Sequence, residues 1–409
     1  MKQRIPTVAL LIIAVIILAF DAFADTAEEL GMNKKPGFIS VPDGRLYYEE
    51  AGKGTCIVFL HDGIFHSEVY DSQFAAFAEN HRVIRYDRRG YGRSDDAHQP
   101  YSNIDDLKAV FDTLGIDSAL VVGCSAGSAL AIDFTLKYPH LVTGLVLIGP
   151  VVSGMGYTSH MLTRGGHMTS DILTDPERTA AYFVDTDPYE FCQSSHEAKA
   201  KARALLAAFP HNADFSDGYF ERGPDRPAVR FLSEIKVPTL IIVGEGDVPD
   251  VHAHSGAIEA GISSSQREVV SKAGHLVALE KPQEVIDLIR SFLAESMFFN
   301  MISREGMPAA VKAYRESLAR NPEQKPLAES RLNQLGYQSL LSGNINGALA
   351  LFELAVDIYP GSFNVYDSYG EALLASGDTA QAITNYKRSL ELNPNNTNAT
   401  QVLSGISKK

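Results

Sequence analysis

The sequence predicts an α/β fold, a mostly parallel sheet with helices on both faces and an inserted cap, followed by an all-α segment. Three observations carry that expectation. Short apolar runs alternate with helix-like stretches from Thr55 to Ile148 and again from Thr239 to Leu293. Strands buried on both faces of a parallel sheet read as continuous apolar runs, and each parallel neighbour needs a crossover, usually a helix. Between the two blocks, residues 150–233 lose the rhythm over a length too great for a loop. From residue 329 the chain then repeats itself at a fixed interval, the one that separates Gly336 from Gly370.

The segment Met1–Ala24 reads as a secretory leader. Lys2 and Arg4 form a basic start, Val8 to Phe20 is an unbroken apolar run, and Ala22-Phe23-Ala24 supplies the small residues a peptidase reads. The run is short for a bilayer span, which favours cleavage after Ala24 and export to the periplasm or medium. An uncleaved anchor is the alternative; after cleavage no stable membrane insertion is expected.

Phe38–Val41 and Arg45–Ala51 flank Pro42-Asp43-Gly44 and predict a hairpin. Thr55–Leu60 predicts a buried strand ending at His61-Asp62-Gly63-Ile64. A helix over 70–80 leads to a strand at Arg82–Tyr86 and the Gly-dense Asp87-Arg88-Arg89-Gly90-Tyr91-Gly92-Arg93-Ser94. A helix over 103–114 precedes the apolar run Ala119–Val122, which enters Gly123-Cys124-Ser125-Ala126-Gly127; a helix-like stretch over 129–138 leaves it. A strand at Thr143–Ile148 closes this half. Within the cap, Ala198–Ala208 is the convincing helix. The sheet resumes at Thr239–Val243, ending in Gly244-Glu245-Gly246-Asp247, and at Arg267–Val270, leading to Ala273-Gly274-His275; a closing helix runs from Pro282 to Leu293.

These pieces, in this order, resemble the α/β-hydrolase superfamily over residues 35–296. The matching motifs are His61-Asp62-Gly63, Asp87-x-Arg-Gly-x-Gly-x-Ser, Gly123-x-Ser-x-Gly, Gly244-x-x-Asp247, and Gly274-His275 with Glu280-x-Pro282 behind it. The resemblance implies an eight-stranded sheet and a nucleophile elbow. It assigns Ser125, Asp247 and His275 as triad, and Gly63 and Ala126 as oxyanion N–H donors. His61-Asp62 departs from the family's frequent His-Gly, and Asp62 is expected to point away from the oxyanion. Gly123 and Gly127 are needed because side chains there would collide with a neighbouring strand or helix.

The chemistry agrees. A serine hydroxyl is a poor nucleophile until a positioned base takes its proton, and an acid beyond the base orients the imidazole. Glu245 and Asp250 compete for the acid role; the family spacing favours Asp247. Arg89, Gly90 and Gly92 read as structural supports of their turn. Cys124 is expected to be turned away from the site, and Cys56 to be a buried strand thiol. Three cysteines (Cys56, Cys124, Cys192) do not make a disulfide framework. His252 and His254 have the spacing of a strand-borne metal pair but no third ligand nearby, so they read as solvated helix or loop histidines, as do His160 and His167. There is no dinucleotide fingerprint or phosphate-binding loop, and no cofactor or metal is expected.

With 409 residues, 45% hydrophobic and 21% charged, the chain has room for two or three domains with proper cores. Its net charge of −14 argues against nucleic acid as a partner and leaves the substrate open. In the tail, Gly336 recurs as Gly370, Gly343 as Gly377, Ala348 as Ala382, Phe352 as Tyr386 and Pro360 as Pro394. This resembles tetratricopeptide repeats, with a repeat domain over 300–406 and full repeats at 329–362 and 363–396. Ala310, Tyr314 and Pro322 keep the second-helix spacing of a degenerate repeat, and Thr397–Ile406 reads as a capping helix. The array reads either as a groove for a peptide or protein partner or as a stabilising or homodimer-forming appendage. The expected protein is an exported serine hydrolase acting on a carboxylic ester of a small to medium acyl substrate. Lactones, amides and carbon–carbon bonds are alternatives on the same triad, and a non-catalytic scaffold displaying the repeats is the competing class.

Overall fold

The computed structural model describes residues 34–159, 175–186, 195–213, 220–320 and 327–406. The expected leader, His160, His167 and Cys192 lie outside these residues. The chain divides into two compact units, the first ending at Ile286 and the second beginning at Asp287.

The first unit is built on an eight-stranded sheet. In chain order its elements are β1 (Lys35–Val41), β2 (Gly44–Ala51), β3 (Cys56–Leu60), α1 (Asp71–Ala78) and β4 (Arg82–Tyr86). There follow α2 (Asn103–Thr113), β5 (Ala119–Cys124), α3 (Ala126–Lys137) and β6 (Val142–Ile148). The cap supplies α4 (Pro176–Ala181) and α5 (His196–Ala208), and β7 (Thr239–Gly244), α6 (Pro249–Gly261) and β8 (Ser265–Val270) complete the sheet. The strand order is β1-β2-β4-β3-β5-β6-β7-β8. β1 and β2 pair antiparallel, as do β2 and β4; every later pairing is parallel. The hairpin turns where expected, with Asp43 at φ 63.

β3, β5 and β7 carry the unbroken apolar runs that predicted them, and every residue of β5 and β7 is buried. Aliphatic side chains of these strands meet Leu107, Val110 and Phe111 of α2 and Leu130, Ile132 and Phe134 of α3 in one core. α5 starts at Ser195, whose hydroxyl accepts the Ala198 N–H. Cys56 is half-buried rather than buried, because it opens β3 at the sheet's rim.

Beyond β8, α7 (Val277–Glu280) is a single turn, and α8 (Pro282–Glu305) follows it. α8 runs past Leu293, where the sequence had placed its end, because nothing breaks it before Gly306, which stands at φ 86.

The second unit continues with α9 (Met307–Arg320), α10 (Glu329–Leu341), α11 (Ile345–Ile358), α12 (Phe363–Ser376), α13 (Thr379–Leu392) and α14 (Thr397–Ile406). It has its own core, in which Phe298, Val311 and Tyr314 pack with Leu332, Leu351 and Leu354. Asn344 and Asp378 accept N–H groups three residues on and start α11 and α13 alike. A Cβ at Gly336 would stand 2.4 Å from the Phe352 ring, and one at Gly370 3.0 Å from the Tyr386 ring. Each glycine thus lets an aromatic ring of the next helix lie against its own helix backbone.

Candidate active site

β5 ends at Cys124 and α3 begins at Ala126, so Ser125 alone makes the reversal from strand to helix. It does so at φ 50, a left-handed conformation that L-residues rarely adopt. Its N–H is held by the Ile148 carbonyl of β6 at 2.9 Å. The turn is this tight because both flanking glycines are in contact with backbone. A Cβ on Gly123 would lie 2.4 Å from the Gly127 carbonyl oxygen, and one on Gly127 2.2 Å from that of Leu60. Cys124 is 2% exposed, and burial together with the nearby Asp62 and Asp247 charges pushes its thiol well above the ordinary range. It stays a neutral thiol, whereas Ser125 is half-buried and reachable.

Two strands away, the β7 end delivers Asp247 and the turn after β8 delivers His275. His275 Nδ1 lies 3.0 and 2.9 Å from the two Asp247 carboxylate oxygens. The acceptor-only carboxylate requires Nδ1 to carry a proton, which leaves Nε2 with a lone pair in the neutral ring. Asp247 is buried and also accepts the Val248 N–H at 2.7 Å. The His275 turn is tied by Glu280, which accepts the Gly274 N–H at 2.8 Å.

Of the competing acids, Glu245 accepts the Lys272 N–H, and Asp250 is occupied by the backbone and hydroxyl of Thr158 at the entry to the cap. Gly149, which sequence reasoning passed over, sits between the parts. It follows Ile148, stands at φ 50, and a Cβ on it would meet His275 at 3.1 Å and Asp247 at 3.2 Å. The one available signal was a Gly-Pro pair at the end of a strand.

Beside the elbow, the loop after β3 presents Gly63, on which a Cβ would lie 3.6 Å from that of Ala126. The Ala126 N–H stands in the first turn of α3, where helix geometry supplies no intrahelical acceptor, and it has no hydrogen-bond partner among the described residues. Asp62 turns back into its own loop, as expected, where Oδ1 accepts the Ile64 and Phe65 N–H groups at 2.8 and 2.9 Å. The Asp87 turn behaves as the structural support it was read to be: Arg89 makes a two-point bond to Asp106, and a Cβ on Gly92 would fall on the Asp87 carboxylate.

His252 is a half-buried helix histidine, and only the expected solvation of His254 is overturned. His252 and His254 lie on α6, where a separation of two residues sends side chains to different faces. His254 is 1% exposed, not solvated; its Nδ1 accepts the Val152 N–H at 3.0 Å and its ring stacks on Tyr157. Among the described residues no group of three or more His, Cys, Asp or Glu could hold a metal, and no described helix is long and apolar enough to cross a membrane.

A mostly parallel sheet whose strand ends carry a strained serine and a carboxylate-bound histidine is the architecture of an α/β hydrolase. The chain belongs to the α/β hydrolase fold family, which it matches over residues 56–282. It is similar to 2-hydroxy-6-oxo-6-phenylhexa-2,4-dienoate hydrolase of Comamonas testosteroni, 26% identical over 267 residues, covering 62% of this chain and 92% of the relative. A 2-hydroxy-6-oxononadienedioate/2-hydroxy-6-oxononatrienedioate hydrolase of Klebsiella pneumoniae is 28% identical over 287 residues, 63% of this chain and 96% of that one. Among solved structures, Est816, described as an N-acyl homoserine lactone degrading enzyme, superposes with a TM-score of 0.51 at 26% identity, covering 63% of this chain and all of that one.

Proposed function

We propose that the chain is a serine hydrolase that transfers an acyl group to water, with carboxylic esters as its substrates. The observation that carries this reading is the conjunction of Ser125 at φ 50 with the His275–Asp247 pair around Gly149. As Ser125 Oγ bonds to the substrate carbonyl carbon, His275 Nε2 takes its proton and Asp247 stabilises the imidazolium. The carbonyl oxygen, now an anion, is held by the Gly63 and Ala126 N–H groups. The tetrahedral centre collapses, the alkoxide leaves with the proton from His275, and water repeats the sequence on the acyl-enzyme. A second reading, hydrolysis of a carbon–carbon bond next to a carbonyl, is favoured by the activities of the two named relatives. In it the same base and oxyanion donors serve and a carbanion, rather than an alkoxide, leaves. A fluorophosphonate probe should label the wild-type chain, and Ser125→Ala should abolish both labelling and turnover, by a factor on the order of 10⁶. Labelling that survives the substitution would overturn the reading; a turnover screen of esters, lactones and vinylogous diketones separates the substrate classes.

The helical unit is proposed to be a tetratricopeptide-type array. The support is that the Gly336–Phe352 contact returns as Gly370–Tyr386 and the Asn344 helix start as Asp378, both at the same interval along the chain. Export rests on the leader-like segment Met1–Ala24.

A further inference from the structure

Arg88 belongs to the Asp87 turn, where its carbonyl accepts the Tyr91 N–H at 3.0 Å, but its side chain reaches out of that turn to the loop after β3. Its side chain is 4% exposed, and among the described residues no carboxylate lies within ion-pairing distance. The Glu221 and Asp62 charges favour the guanidinium from a distance, but a buried cation with no carboxylate in direct contact still needs strong acceptors. Arg88 has one: Nη2 donates to the Asp62 carbonyl oxygen at 2.6 Å, while its plane lies 4.8 Å over the Tyr91 ring.

The same carbonyl accepts a second bond, from His61. The Arg88 backbone N–H donates to His61 Nε2 at 2.9 Å, so the proton of the ring must be on Nδ1, which lies 2.7 Å from Asp62 O. Burial and the Arg88 charge keep His61 neutral. A trans peptide is planar, with its C=O and N–H pointing in opposite directions. Two donors fixing the Asp62 carbonyl therefore fix the direction of the Gly63 N–H.

That N–H has no hydrogen-bond partner among the described residues, unlike its neighbours in the turn. Ile64 and Phe65 give theirs to Asp62 Oδ1, and the Gly63 carbonyl accepts the Tyr91 hydroxyl at 2.9 Å. We infer that Arg88 is a positioning residue for the oxyanion hole, its guanidinium aiming and polarising the Asp62–Gly63 peptide so that the Gly63 N–H meets the charge that develops on substrate. A charge-assisted bond on the carbonyl draws electron density from the amide nitrogen and strengthens the N–H as a donor. The inference rests on the serine-hydrolase reading, since it takes the Gly63 N–H to be an oxyanion donor.

The test uses the full chain, a p-nitrophenyl ester and a fluorophosphonate, with the variants Arg88→Met and Arg88→Lys. Deleting a whole donor costs about 10²- to 10³-fold, so Arg88→Met, which only misaims and weakens one, should lower kcat by about tenfold or more at nearly constant KM. It should slow Ser125 phosphonylation in proportion, and Arg88→Lys, keeping the charge, should recover part of the loss. Unchanged kcat in a folded Arg88→Met chain, a loss confined to KM, or Arg88→Lys no better than Arg88→Met overturns the inference. A wild-type chain without Ser125-dependent labelling overturns the hydrolase reading and this inference with it. Should Arg88→Met not fold, wild-type chain labelled with ¹⁵N-glycine decides: phosphonylation should move the Gly63 amide proton downfield, and an unmoved resonance overturns the inference.

Discussion

Ser125 can occupy its turn only because Gly123 and Gly127 leave space for neighbouring backbone, and Gly149 leaves the space that His275 and Asp247 fill. Gly149→Ala should therefore be damaging without any loss of a functional group. Its methyl would need a positive φ and would press on the His275 ring at 3.1 Å, so kcat should fall more than KM rises, with a lower melting temperature. Asp247→Asn leaves the packing almost untouched but no longer stabilises the imidazolium or fixes the Nδ1–H tautomer; turnover should fall by about 10⁴-fold, measured on the same ester as the wild type. At this scale the sequence was readable wherever a residue acts through chain neighbours. Ser125 and Ala126 are placed by a local strand-to-helix turn, and Asp247 and His275 by their positions just past strands, whereas Gly127 is required by the Leu60 carbonyl of a neighbouring strand. Gly149 and Arg88 were not readable, because what matters about them is a backbone or ring brought near from another part of the chain. His254 was misread for the same reason: its acceptor role depends on Val152, far away in sequence.

β3, β5 and β7 were legible from their apolar runs, since burial on both faces leaves little alternative to a parallel strand. β8, by contrast, is mostly polar and buried only at Val270, and was legible only from its place in the alternation. The cap was legible only as an interruption, its scattered aromatics and glycines having no single period. Its attachment is nevertheless specific. α6 holds the start of the cap through Asp250 and His254, and α3 holds it through Asp133, whose carboxylate accepts the Ser153 hydroxyl at 2.6 Å. Burial raises the Asp133 pKa from 3.8 to about 6. Between those values the folded state holds the proton that the unfolded state has lost, so this group's contribution to stability declines as pH rises and is gone above about pH 6. Asp133→Asn keeps an acceptor for Ser153 and carries no charge. It should melt higher than wild type near neutral pH, with the advantage shrinking as pH falls toward 3.8, as followed by thermal melts across that range. His61 and His254 have the opposite sign: burial lowers both, so their contribution is present above the ordinary 6.5 and is lost as pH falls below it.

Across the whole molecule, two units with separate cores share one chain, and the boundary between them falls inside a single helix. The tail's period announced itself because identical packing needs equivalent residues at a constant interval, whereas the boundary did not, since no proline or glycine marks it. Gly336→Val would drive a branched side chain into the Phe352 ring and should cost the helical unit about 1–3 kcal/mol. It should appear as an earlier loss of helical signal on heating, while fluorophosphonate labelling of Ser125 stays at the wild-type rate. The backbone-to-backbone contacts at Gly123 and Gly127 carry one more implication. A reversal packed this closely has no slack with which to adapt to a new substrate. Evolutionary change in what the protein accepts is then expected in residues away from this reversal, while the turn itself passes unchanged from one specificity to the next.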